Sequence, residues 1–157
     1  MAFASTIPSP YAQSHESPSG PGDSRPTGLQ ILKDNALLGG LKDKTILVTG
    51  GTDGLGLETV RQLAKTGATV YFTARDEAKA ARVVRDIATE AETDADLKGA
   101  KVNWISIDNN SLQSVKAGAE DFLRKSDKLN VLVCNAGTSG GLRSLDSANT
   151  VANANPM

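Results

Sequence analysis

Four glycines stand within eight consecutive residues, Thr49-Gly50-Gly51-Thr52-Asp53-Gly54-Leu55-Gly56. Glycine lets a backbone turn through positive φ and approach another molecule without a Cβ in the way. Where such a run opens a helix, the first-turn amides have no intrahelical acceptor and the positive end of the helix dipole lies beside them. Gripping a dinucleotide diphosphate needs these things together: a tight turn, close backbone approach and free N–H groups. Gly50, Gly54 and Gly56 can supply them, with Thr52, Asp53 and Leu55 carried in the same loop. Glycines that merely shape a turn would leave the same triplet, so the surrounding elements decide.

Those elements alternate between short apolar runs and helix-period segments, the pattern of repeated strand-helix-strand units and a parallel sheet. Thr45 to Thr49 reads as a strand apolar on both faces, leading straight into the glycine loop. Leu57, Val60, Leu63 and Ala64 then recur at helical spacing, and Gly67 ends that helix. A second strand, Thr69 to Thr73, precedes a helix starting near Asp76, with Ala80, Val84, Ile87, Ala88 and Ala91 on its apolar side. Lys101 to Ile107 forms a third strand, and Ser111 caps a third helix with Leu112, Val115, Ala119, Phe122 and Leu123 on one face. Leu129 to Cys134 is the fourth strand. Right-handed crossovers place these strands in the order 3-2-1-4. The expected fold class is α/β: a Rossmann-type doubly wound parallel sheet, truncated to about four strands with three helices.

The flanks differ in character. Residues 1 to about 28 hold Pro8, Pro10, Pro18, Pro21 and Pro26 among Ser, Gly and Thr, and cannot bury enough apolar surface to offset backbone ordering. Residues 1–40 are therefore expected to be a disordered arm with a weak lead-in helix around Ile31, Leu32, Leu37 and Leu38, with Leu41 continuing the apolar stretch. Residues 41–137 form the partial nucleotide-binding domain, and 138–157, rich in Ser, Asn, Gly and Ala, is expected to be a flexible tail.

Charge is nearly balanced, with 17 basic and 18 acidic side chains, and no cationic run offers nucleic acid or an anionic membrane a place to bind. No apolar run approaches the roughly 20 residues needed to cross a bilayer. The single cysteine, Cys134, cannot pair internally, so a reducing, cytoplasmic setting is expected and the Asn109 N-x-S match is read as chance. His15 stands alone in the arm without ligand partners, and no metal site is expected. Trp104 and Cys134 read as core strand residues.

The loop resembles the first motif of the short-chain dehydrogenase/reductase family, T-G-x-x-x-G-x-G, at Thr49, Gly50, Gly54 and Gly56. Asn135-Ala136-Gly137 is similar to that family's N-N-A-G segment, with Cys134 replacing the first Asn, and Asp108 matches an acidic position that contacts adenine in relatives. The resemblance implies that Asn135, Ala136 and Gly137 steady the sheet centre and line the adenosine side of a nicotinamide dinucleotide. At the end of the second strand, Arg75 favours NADP by pairing with its 2′-phosphate, although Asp53 would repel that group and NAD stays open. Asp76 is either an acidic ribose partner or a helix N-cap.

The family's chemistry also requires a tyrosine, a lysine one helical turn later and a serine. The only tyrosines are Tyr11, in the arm, and Tyr71, in a strand that does not stack i and i+4, so Arg75 cannot serve as its partner. Ser139 and Ser144 follow Asn135 too closely to be the family's serine. No catalytic residue is assigned. The chain is expected to be a truncated form of an NADP-dependent oxidoreductase acting on an alcohol or carbonyl, inactive alone, with substrate bound only in a full-length relative. The alternative is a non-catalytic module that binds a dinucleotide or pairs with a partner, including its own copy, through an exposed fourth strand.

Overall fold

The computed structural model of the chain describes residues 10–137. Within them β1 (Thr45–Val48), β2 (Thr69–Ala74), β3 (Lys101–Ser106) and β4 (Val131–Val133) form one parallel sheet in the order β3-β2-β1-β4. The chain steps outward from β1 to β3 and then returns to the free side of β1, as right-handed crossovers require. Val48 is thereby set between Phe72 on one side and Val133 on the other. The strands that sequence reading placed are all present, with ends moved by a residue or two; β4 shortens most, from Leu129–Cys134 to Val131–Val133.

Four helices accompany the sheet: α1 (Gly28–Asp34), α2 (Gly54–Ala64), α3 (Glu77–Glu90) and α4 (Leu112–Lys125). Each crossover helix opens on a polar cap. Asp76 accepts from the Lys79 amide at 2.9 Å, and Ser111 accepts from the Ser114 amide at 3.2 Å, each satisfying an otherwise orphan donor. The lead-in is α1, whose Leu32 is buried and whose Gly28 lies so close to the Gln62 side chain that a Cβ would come within 2.8 Å of it. Residues 10–27, expected to lack fixed structure, hold one 3-10 turn at Ala12–His15 and no buried residue. The Tyr11 hydroxyl donates to Asp34 at 2.9 Å.

Strand alternation sends side chains to two unequal faces. One face, with Ile46, Val48, Val70, Phe72 and Ala74, is buried against Val60 and Ala64 of α2 and Ala80, Val83 and Ile87 of α3. Trp104 is partly buried against this core. On the other face Tyr71 and Ile105 meet Phe122 of α4, with the Tyr71 and Phe122 rings edge to face at 5.2 Å. The Tyr71 hydroxyl donates to the Lys125 carbonyl at 3.2 Å, which makes its role sheet packing, as expected.

This second face corrects several expectations. Leu112 and Leu123, placed on the packed side of α4, are 79% and 72% exposed, and Ala119 is exposed as well; on the first face, Ala88 of α3 is likewise exposed. Amphipathic spacing reports which side of a helix is apolar, but not how much of that side a neighbour covers. Here α4 packs on β3, drawn close by Gly118, whose absent Cβ would fall on Ile107. An apolar groove of about 340 Å³ is left between Leu47, Phe122, Leu123 and Leu132. Cys134, read as a core residue, is exposed, as are Val131 and Leu132 of β4, because little among the described residues covers this edge of the sheet. Ser139, Ser144 and the tail expected at 138–157 lie outside the described residues. Among the described residues no helix is long and apolar enough to cross a membrane, and no metal-ligand cluster occurs.

Two ion pairs tie α2 to the end of α3 and the turn after it: Arg61 with Glu90 at 2.9 Å and Lys65 with Asp94 at 2.6 Å. The hydrogen bond from Lys65, followed by one from the Asp96 amide, holds the Asp94 carboxyl below its ordinary value against the opposing effect of burial. Stability from such a group is present above the pH at which the unfolded carboxyl titrates. It is lost as acid carries the folded group through its own lower value. Denaturant unfolding between about pH 5 and about pH 2.5 should therefore show the wild-type chain losing more stability than Lys65→Met. Parallel curves would mean that the pair contributes nothing.

Candidate functional site

The glycine loop begins where β1 ends, and its shape is set by the segment after β4. The Asn135 and Ala136 amides both donate to the Thr49 hydroxyl at 2.9 Å. The Asn135 carboxamide reaches back with its two N–H groups, donating to the carbonyls of Thr49 at 2.9 Å and Gly50 at 3.1 Å. Residues some 85 positions apart are joined only because β4 lies beside β1.

Each glycine has its own physical reason. Gly50 has φ +71, and a Cβ there would stand 3.1 Å from the Ala136 backbone. Gly56 is buried, and a Cβ would fall on the Gly50 carbonyl and within 2.5 Å of the Asn135 carboxamide nitrogen. Gly51 lies on the Phe72 side chain, whose Cβ would be 2.5 Å from an added methyl. Gly54 differs from these: φ is +52, which favours glycine, yet nothing among the described residues stands within 4 Å of where its Cβ would be. The open side of the loop is at Gly54.

Accounting for the loop amides shows which of them are engaged within the protein. The Gly50 amide donates to the Thr73 hydroxyl at 3.1 Å and the Gly51 amide to the Thr73 carbonyl at 3.2 Å. The Gly54 amide donates to the Asp53 carboxylate at 2.7 Å, so Asp53 caps α2 and its exposed charge sits at that helix end. The amides of Thr52, Asp53, Leu55 and Gly56 meet no acceptor among the described residues. They belong to the start of α2, where the helix dipole favours an anion. Beside them the Leu55 side chain is 83% exposed.

The other predicted residues lie past the carboxyl ends of the remaining strands. Arg75 follows β2, is exposed, and makes no hydrogen bond or ion pair within the described residues. Asp76 caps α3, one of its two readings. Asp108 follows β3, its amide donating to the Ser114 hydroxyl at 2.9 Å and its Oδ1 accepting from the Asn110 amide and side chain at 3.0 Å. Its other carboxylate oxygen has no partner among the described residues. Ala136 and Gly137 follow β4 and are exposed. The crevice beyond the strand ends, where the order reverses between β1 and β4, is where open α/β sheets hold ligands. A separate concavity of about 430 Å³, lined by Thr45, Thr69, Tyr71 and Lys128, lies at the strands' amino ends.

The residues present fit a dinucleotide. Amides without an acceptor among the described residues, at a positive helix end, suit its diphosphate, a side without a Cβ admits it, and a guanidinium with no partner among those residues stands at the next strand end. Sequence reading missed Thr73 and the bonding role of Thr49. Nothing in the sequence singled out Thr73 from the other two hydroxyl side chains of the strand, Thr69 and Tyr71; its burial to 3% exposure, which demands a partner, is visible only in the structure.

Asn135→Asp keeps the side-chain shape but turns a donor into a charge facing two carbonyl oxygens, whereas Asn135→Ala only removes two bonds. Urea unfolding should show Ala costing about 1–3 kcal/mol and Asp more than Ala. An Asp variant as stable as wild type would rule out this stitching role.

Comparison with known proteins places this arrangement. The family described as short chain dehydrogenase matches residues 44–154, from the approach to β1 to a point beyond Gly137. The chain is 43% identical over 127 residues to the short-chain dehydrogenase/reductase prx1 of Penicillium rubens, covering 81% of this chain and 35% of that one. It is 47% identical over 130 residues to the oxidoreductase calI of Penicillium decumbens, covering 81% and 36%. Among solved structures, the NADPH-bound short chain oxidoreductase from Pseudomonas aeruginosa, described as containing an atypical catalytic center, superposes with a TM-score of 0.55 at 32% identity. That likeness covers 62% of this chain and 36% of the other. The chain spans about a third of the length of the curated relatives it matches.

Proposed function

Because the chain belongs to the short-chain dehydrogenase family, we propose that it is the cofactor-binding part of an oxidoreductase that uses NADP. The observation that carries this reading is the set of four amides around Gly54 that meet no acceptor among the described residues, with Arg75, likewise without a partner among them, at the neighbouring strand end. The amides of Thr52, Asp53, Leu55 and Gly56 hold the diphosphate, and Arg75 pairs with the 2′-phosphate. The remaining Asp108 oxygen faces the adenine amine, and Asn135, Ala136 and Gly137 line the adenosine side while fixing the loop. A relative of known structure described as NADPH-bound supports the choice of cofactor.

The bound cofactor supplies a hydride for exchange with an alcohol or carbonyl carbon. The 157-residue sequence contains no tyrosine followed four positions later by lysine, so this chain's own part is binding and orientation. Turnover requires a proton donor that these residues do not provide.

The test is titration of the 157-residue chain with NADPH and NADH, followed by ligand fluorescence. NADPH should bind the tighter of the two, and Arg75→Gln should remove about tenfold or more of its affinity while leaving NADH little changed. No oxidation of NADPH is expected with a panel of carbonyl compounds. A folded chain that binds neither dinucleotide would end this reading, and turnover would end the non-catalytic part of it.

A second reading, pairing with another copy through β4, is favoured by Val131 and Leu132, which are 44% and 53% exposed on a strand with one unpaired edge among the described residues. Sedimentation should then show a concentration-dependent dimer that Leu132→Lys abolishes. A monomer throughout would dismiss it.

A further inference from the structure

Thr73 has no part in the family motifs at Thr49–Gly56 and Asn135–Gly137, yet it is 3% exposed and holds both of the first loop amides. Its hydroxyl accepts from the Gly50 amide and its carbonyl from the Gly51 amide. The residue before it, Phe72, fills the space that a Cβ on Gly51 would need. The end of β2 and the start of the glycine loop therefore interlock at three points. Arg75 emerges from the same stretch of chain two residues later.

We infer that Thr73 is a positioning residue that sets the distance between the diphosphate loop and Arg75, and so determines preference for the 2′-phosphorylated dinucleotide. The inference rests on the proposed dinucleotide site and extends it to a residue with no direct ligand contact. A ligand held at two anchors gains from both only if their separation is fixed beforehand, because any slack must be removed on binding. NADPH engages the loop through its diphosphate and Arg75 through its 2′-phosphate. NADH lacks the second anion. Engaging the Gly50 and Gly51 amides inside the protein also leaves the diphosphate only the amides from Thr52 onward, which fixes its register along the loop.

The experiment titrates NADPH and NADH into the 157-residue chain as wild type, Thr73→Val and Thr73→Ser, reading binding by ligand fluorescence and folding by denaturation. Val preserves shape without the oxygen, and Ser restores the oxygen. Thr73→Val should weaken NADPH roughly fivefold or more, the weight of one net hydrogen bond, and weaken NADH less, so that the preference for NADPH shrinks. Thr73→Ser should keep the wild-type preference. Equal losses for the two ligands, or none, would overturn the inference while leaving the site reading intact, since the wild type would still bind. Failure of the wild type to bind either ligand would instead remove the site reading, and this inference with it. If Thr73→Val does not fold, hydrogen exchange on the wild type decides. The Gly50 and Gly51 amides should be protected without ligand, and exchange as fast as that of the Thr52 amide would overturn the inference.

Discussion

The Asn135 carboxamide, bonded to the carbonyls of Thr49 and Gly50, is the constraint on which the site is built. Those two carbonyls close the turn after β1, and without a donor they would face each other's negative ends across a tight bend. Meeting both with one NH2 group turns the Gly50 carbonyl toward α2. That in turn forbids a side chain at Gly56 and brings the first turn of α2 against the loop. A hydrogen bond of this kind is worth only about 1 kcal/mol net, small beside the burial of Phe72, Ile46 and Val48. Its importance is geometric, since it selects one loop shape among the many that the glycines permit.

That shape dictates the distribution of amides. Thr73 engages two from inside, Asp53 engages one at the helix cap, and four meet no acceptor among the described residues. A phosphate loop is defined as much by the amides it withholds as by those it offers, because a buried donor left over would destabilise the ligand-free protein. The Asp53 cap introduces a charge conflict: a carboxylate steadies α2 where an anion is proposed to sit. Its exposure lets water screen much of that repulsion, so the conflict weakens binding without forbidding it.

The two faces of the sheet differ in how completely they are covered. The α2 and α3 face is continuous and supports the strand ends from below, giving the loop and Arg75 a rigid base. Among the described residues the α4 face is closed over β3 and open over β1 and β4, leaving Leu47 and Leu132 along an apolar groove. The site depends mainly on the first face, since Phe72 of that core is also the surface against which Gly51 rests.

Strand and helix order, the caps at Asp76 and Ser111, and the glycine loop between β1 and α2 were legible in the sequence, because each is a local preference of turn, period or cap repeated at short range. The sheet order came from handedness, which is a property of L-residues and not of any contact. What the amino acids could not reveal one by one was coverage and partnership. Leu123 and Leu112 carry an apolar stripe that stays mostly uncovered among the described residues, Cys134 falls one residue past its strand, and Thr73 is a strand hydroxyl until the loop amides arrive above it. Local chemistry thus determined which groups this protein has to offer. Only the juxtaposition of β4 and β2 with β1, which joins residues tens of positions apart, decided which of those groups are engaged within the protein and which stay without a partner among the described residues.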